Sequence, residues 1–235
     1  MAEMFGLQQL AVHRPEDVPW NELPDNFILK LHWHRSDEFI QLLKKFKFQV
    51  VTIARHPLDT LISILQFAPK ELQTALWLDR LEGDESGIHG LSPSDAKFLS
   101  YCEGRRAKAL LDVTADWWLD PDVTQIKYED LVSARDRTLS TLALKLCAPI
   151  KMLINQPDQQ DRFSMASLRS TSSNGHFWQG LPGLWQRMFT TDDAIRLSLS
   201  HSNYIQLFGY SYQRAHCNMD VNRESINAEW NILTG

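Results

Sequence analysis

The chain has 235 residues, 43% of them hydrophobic and 23% charged, with a net charge of −5. That is long enough to bury one sizeable core and ordinary for a globular domain. The acidic balance excludes a general nucleic-acid-binding surface, so any anion site has to be local. No apolar run approaches the roughly 18 residues of a membrane span, and the first twenty residues lack the basic start and apolar core of a signal peptide. Cys102, Cys147 and Cys217 are too few and too scattered for a disulfide framework or a zinc site. Buried thiols in a reducing, cytoplasmic compartment are the expectation.

Taken in chain order, residues 1–25 hold Pro15, Pro19 and Pro24 and read as an irregular lead-in. "NFILKLHW" (26–33) is predicted as a strand, and "SDEFIQLLKKF" (36–46) as a helix with a Ser/Asp start and a basic end, as the helix dipole prefers. "FQVVTIA" (48–54) has the continuous apolar character of a strand covered on both faces. After it, Leu58, Leu61, Ile62 and Leu65 mark one face of a helix whose first turn suits Pro57. About 50 residues of helical pattern follow, interrupted by the turn-rich "EGDESGIHGLSPSD". "VTQIKY" (123–128) reads as a third strand, before a helix over roughly 133–147 carrying Leu139, Leu142 and Leu146.

Beyond residue 150, "INQPDQQDR" and "RSTSSNGHFWQGLPG" read as loops, and "TDDAIRLSLSHSNYIQLFG" as one amphipathic helix ending at Gly209. Residues 1–212 thus form one domain, with 213–235 as a polar, loosely held C-terminal tail. Alternating strands and helices predict an α/β domain with a mainly parallel sheet. Such sheets bind ligands at the carboxyl ends of their strands.

Four stretches carry chemistry. In "VVTIARHPLDTLIS", Arg55 ends a strand and Ser63 lies eight residues on, in the following helix. The planar guanidinium and the helix N-terminus together suit a phosphate or sulfate, and the competing reading is a structural ion pair. In "LKLHWHRS", strand alternation puts Lys30, His32 and His34 on one face. A strand-end histidine there can serve as a general base, beside a lysine that neutralises building charge. A hydrogen-bonded core histidine is the plain alternative, and H-x-H also suits a metal hydrolase holding an ion on His32 and His34. In "YEDL", Glu129 and Asp130 read as helix-capping residues, and Tyr128 at the strand end can instead present its ring to a base or its hydroxyl to a ligand. In "HFWQGLPGLW", Gly180 and Gly183 allow close backbone approach beside Trp178 and Trp185.

In order and spacing, these stretches resemble the sulfotransferase family that uses 3′-phosphoadenosine 5′-phosphosulfate (PAPS). That family has a "KTH" strand end, an Arg–Ser pair gripping the 3′-phosphate, a "YED" after a later strand, and a C-terminal "RKG" loop closing over the same phosphate. Here "KLH" supplies Lys30 and His32, Arg55 follows 23 residues after His32, "YEDL" begins at Tyr128, and "WQG" supplies Trp178, Gln179 and Gly180. The resemblance spans about residues 26–210. It implies a P-loop-like, three-layer α/β domain with helices flanking a central sheet. It implies PAPS as co-substrate, no metal, and His32 as the base that deprotonates a hydroxyl or amine of a small-molecule or glycan acceptor. Lys30 would then offset charge in the transfer, and Arg55, Ser63, Tyr128, Trp178, Gln179 and Gly180 would hold the nucleotide. Neither a nucleic-acid nor a membrane partner is expected.

Two departures from the family pattern stand out. The family's "PKSGTTW"-like loop, which holds the 5′-phosphosulfate, has no counterpart in the 29 residues before Lys30. A first strand is therefore expected to be missing, and the chain alone to be inactive. "WQG" also replaces the basic "RKG", leaving Arg169 or Arg187 to supply the lost cation. A sulfotransferase-like protein that binds nucleotide without turnover, or a metal-dependent hydrolase, are the competing functions.

Overall fold

A computed structural model describes residues 7–70, 72–146, 179–211 and 221–234. Strand β1 (Gln8–Ala11) pairs in parallel with β2 (Phe27–Lys30), Gln8 opposite Phe27 and Ala11 opposite Lys30. Strand β3 (Val51–Ala54) pairs in parallel with β4 (Thr124–Lys127), Val51 opposite Thr124 and Ala54 opposite Lys127. Parallel neighbours need crossover connections, and the helices between the strands supply them in the second pair. The α/β architecture is the one the alternation of elements predicts.

Several details differ from the sequence reading. β1 lies in the lead-in taken as irregular, where three of its four residues are exposed and give no apolar pattern. Among the described residues the strands form two two-stranded sheets, β1–β2 and β3–β4. β2 stops at Lys30, so strand alternation does not carry on to His32 and His34. Past that point the Trp33 carbonyl accepts the indole N–H of Trp117 at 2.9 Å, a side-chain bond in place of a strand partner.

Helix α1 (Asp37–Lys45) starts as expected, with the Ser36 hydroxyl accepting the Phe39 N–H at 3.2 Å and Lys44 and Lys45 in its last turn. Helix α2 (Pro57–Phe67) is buried more fully than its apolar face predicts: Pro57, Asp59, Ile64 and Gln66 are buried along with Leu58, Leu61, Ile62 and Leu65. It is the centre of the core. Around it lie α3 (Ala96–Glu103) and α4 (Arg105–Trp118), with α4 packed against β3. The helix expected over 133–147 is α6 (Arg135–Lys145), whose Leu139 and Leu142 cover Ile126 of β4, and a short helix α5 (Tyr128–Ser133) that the sequence reading did not predict precedes it.

Helices α7 (Trp185–Met188) and α8 (Thr191–Ser200) both pack on α2. The stretch expected to form one helix breaks at His201, which separates α8 from α9 (Ser202–Leu207). His201 is fully buried, and its ring Nε2 lies 2.8 Å from the Cys102 carbonyl. The C-terminal tail is not uniformly loose: α10 (Arg223–Thr234) buries Ile226 and Trp230. Its sequence signal is Ile226, Trp230 and Leu233 at i, i+4 and i+7, one helical face in a mostly polar stretch. Cys102 is a buried free thiol whose pKa burial raises well above the usual value.

Candidate functional site

The carboxyl ends of β3 and β4 gather most of the expected anion-binding residues. Arg55 follows β3 directly, and its guanidinium carbon sits 4.8 Å from the centre of the Tyr128 ring, at the start of α5. The Arg55 Nη2 group donates to the Leu181 carbonyl at a long 3.4 Å, so the loop around Gln179 and Gly180 lies beside it. The Arg55 Nε is buried and has no hydrogen-bond partner. No ion pair among the described residues includes Arg55.

The carboxylates around it are taken up elsewhere. Asp59, fully buried in α2, accepts the Gly183 N–H at 2.6 Å and the Trp185 N–H at 2.9 Å. Burial pushes the Asp59 carboxyl up, while the Arg55 charge and these two N–H groups pull it down. Glu129 accepts the His56 N–H at 3.2 Å on one oxygen, and the Tyr210 hydroxyl lies 2.5 Å from the other. Tyr210 also comes within 3.2 Å of the Ala54 carbonyl, and burial followed by Glu129 pushes its pKa up. Lys127 donates to the Gly209 carbonyl at 3.1 Å and lies over the Tyr210 ring.

His56 caps α2 through its own side chain, Nδ1 accepting the Leu58 N–H at 3.3 Å. Its ring stacks on Trp185, 4.8 Å between centres and 9° from parallel. Burial holds His56 at about 4, with the Arg55 charge lowering it further and the Ser211 backbone opposing. The uncharged ring therefore suits an apolar stack. Sequence reasoning did not single out His56, Asp59 or Tyr210. Only their placement within "RHPLD" and after Gly209 hinted at them.

Ser63 is half-buried on α2, four residues from Asp59 and so on the same helical side as the loop 183–185. Trp178 and Arg169 lie outside the described residues, as do Cys147 and Cys217. Arg187, one of the two expected substitute cations, forms an ion pair with Glu229 of α10.

The expected catalytic pair belongs to the end of β2, in the other two-stranded sheet, and to the chain just after it. Lys30 ends β2 with its side chain exposed. His32 is half-buried against Trp77, 6.3 Å between ring centres. Burial lowers its pKa to about 4, helped by the charges of His34 and Arg106 and opposed by the Leu110 backbone. Trp77 begins a stretch in which Leu78, Asp79, Arg80 and Glu82 all have φ between 49° and 61°, an expensive conformation for residues with a side chain. Arg106 spans that stretch: it donates to the Trp77 and Leu81 carbonyls at 3.1 and 2.9 Å and grips buried Glu85 with two bonds of 2.7 and 3.1 Å. The wall beside His32 is thus set by an ion pair on α4. Among the described residues no group of three or more His, Cys, Asp or Glu side chains is placed to hold a metal ion.

A cavity of about 300 Å³ opens at the opposite, amino end of β3 and β4, lined in part by Leu43, Phe48, Val50, Trp117 and Leu146. The four residues of strand in between separate it from Arg55 by roughly 13 Å. It is a different place from the cluster at the carboxyl ends.

No protein-family model matches the chain, and no curated protein matches it. Among solved structures, the mouse sulfotransferase SULT7A1 complexed with PAP superposes with a TM-score of 0.55 at 14% identity, covering 95% of this chain and 88% of that one. The chain has an α/β, P-loop-like fold similar to that of a sulfotransferase.

Proposed function

We propose that the chain is a sulfotransferase-like transferase that binds a 3′-phosphoadenosine nucleotide at the carboxyl ends of β3 and β4. The observation carrying this reading is Arg55, at a strand end beside a tyrosine ring and a loop, with a buried Nε unpartnered and no carboxylate paired to it. A guanidinium left in that state suits a phosphate, which can take its parallel N–H donors together. Ser63 would add a hydroxyl from α2 and Tyr128 a ring beside the nucleotide, with Gln179, Gly180 and Trp178 closing over it. That a structurally similar sulfotransferase is complexed with PAP supports the choice of nucleotide.

PAPS, when bound, would supply an activated sulfuryl group. His32 would accept the proton of an acceptor hydroxyl or amine on its imidazole, which is uncharged at neutral pH. Lys30 would swing its exposed ammonium toward developing negative charge. The acceptor would be a small molecule or glycan, met in a cytoplasmic compartment, with neither nucleic acid nor membrane as partner. A second reading, nucleotide binding without transfer, draws on the separation of Lys30 and His32: one is exposed at the end of β2 and the other is packed on Trp77.

Titration calorimetry with adenosine 3′,5′-bisphosphate (PAP) tests the nucleotide site. Micromolar binding by the native chain, weakened about 10- to 100-fold in Arg55→Ala, is the expected result, since a hydrogen bond to a charged group is worth about 1.5–3 kcal/mol. No binding by the native chain would overturn the reading. Radiolabelled sulfate transfer from PAPS to a phenol, amine and sugar panel then separates the readings: turnover lost in His32→Ala supports the transferase, and binding without any turnover supports the second.

A further inference from the structure

We propose that Asp59 is a positioning residue: it fixes the loop 180–185 beside Arg55 while leaving the guanidinium uncommitted to any carboxylate. The proposal deepens the nucleotide-binding reading and rests on it. Arg55 precedes the His56 cap and Asp59 lies in the first turn of α2, near enough for the Arg55 charge to act on the Asp59 carboxyl. Here both Asp59 oxygens are taken by backbone N–H groups from more than 120 residues away, Gly183 at 2.6 Å and Trp185 at 2.9 Å.

The arrangement satisfies both sides. A fully buried carboxylate is costly unless hydrogen-bonded, and two N–H donors meet that need. The first turn of α7 in turn has N–H groups with no acceptor within the helix, and Asp59 provides one for Trp185. Gly183 reaches Asp59 with φ at +80°, a conformation that a residue with a side chain adopts only under strain. Once the loop is held there, the Leu181 carbonyl meets Arg55 and the Trp185 ring meets His56. Without Asp59 the loop would lose its anchor, and Arg55 its fixed neighbour. Asp59 would touch no ligand itself.

Asp59→Asn tests this. It preserves shape but turns one acceptor into an NH₂ group facing an N–H donor. Backbone hydrogen exchange at Gly183 and Trp185 should rise roughly tenfold or more, and PAP affinity should fall by roughly tenfold, the scale of one lost hydrogen bond. A role confined to stability would lower the melting temperature yet leave the affinity of the folded protein unchanged. Gly183→Ala, which displaces the same loop with Asp59 intact, should reproduce the affinity loss, and it decides the matter if Asp59→Asn fails to fold. Unchanged exchange at Gly183 and Trp185 in Asp59→Asn overturns the proposal, as does native PAP affinity in Gly183→Ala. Failure of the native chain to bind PAP overturns the nucleotide reading instead, and the exchange measurement then decides whether Asp59 holds the loop.

Discussion

At the scale of single residues, the site is governed by what the neighbours of Arg55 do with their own hydrogen-bonding capacity. Glu129 and Asp59 spend theirs on His56, Tyr210, Gly183 and Trp185. Two imidazoles, half-buried His32 and buried His56, follow the same logic, since each sits where a positive charge is disfavoured and is held near 4. Their effect on stability has a definite sign. Between about pH 6.5 and 4 the unfolded chain binds protons that the folded chain refuses, so stability falls as pH falls through that window. A shift of about 2.5 pH units corresponds to about 3 kcal/mol for a group of this kind as an upper figure. Denaturant unfolding at pH 7 and pH 5 should therefore show a drop in stability that shrinks in His56→Gln. An equal drop in the variant would mean that His56 is not the group responsible.

At the scale of elements, the chain after α9 acts as a strap across the carboxyl ends of β3 and β4. Gly209 turns with φ at +65°, its carbonyl takes Lys127, and Tyr210 then reaches Glu129. Tyr210→Phe removes a bond to a charged group and leaves one Glu129 oxygen without that donor. A loss of about 1.5–3 kcal/mol in unfolding free energy is expected. Glu129→Gln should cost a similar amount, and the double variant less than the sum, because both act on one contact. Strict additivity in that cycle would show that the two side chains are not coupled. Glu129 was read from sequence as a helix cap; in the structure it faces backward, to β3 and the strap.

At the scale of the molecule, the helices carry the core and the strands contribute little. α2 is buried nearly all round, while β1 and β2 have no fully buried residue. Two-stranded units are marginal by themselves and leave backbone edges open to other chains. Native-state hydrogen exchange should accordingly show β1 and β2 exchanging far faster than α2, whose protection tracks global unfolding. Equal protection in the two regions would refute this ordering. Ending the chain at residue 212 removes α10 and with it buried Ile226 and Trp230. Loss of a buried tryptophan alone costs about 3–5 kcal/mol, so the shortened chain should melt well below the full one. Equal melting temperatures would show that α10 does not contribute to the fold.

The sequence by itself determined the elements whose signals are local. The Ser36 cap, Pro57 in the first turn of a helix, the apolar run of β3 and the αL glycine at 209 each dictate backbone geometry within a few residues. It also placed Arg55 and Tyr128 at the ends of strands, and the pairing of β3 with β4 is what made those ends neighbours. What depends on partners distant in sequence was not readable in this way. Asp59 looks like any acidic residue in a first helical turn until the loop 183–185 arrives over it from across the chain. His32 looks aligned with Lys30 until the bond from Trp117 to the Trp33 carbonyl shows that the strand has already ended. Ile226 and Trp230 look like part of a polar tail until α10 covers the core. In each case the deciding contact is made between segments dozens of residues apart or more, and burial, which assigns the role, exists only once those segments have packed.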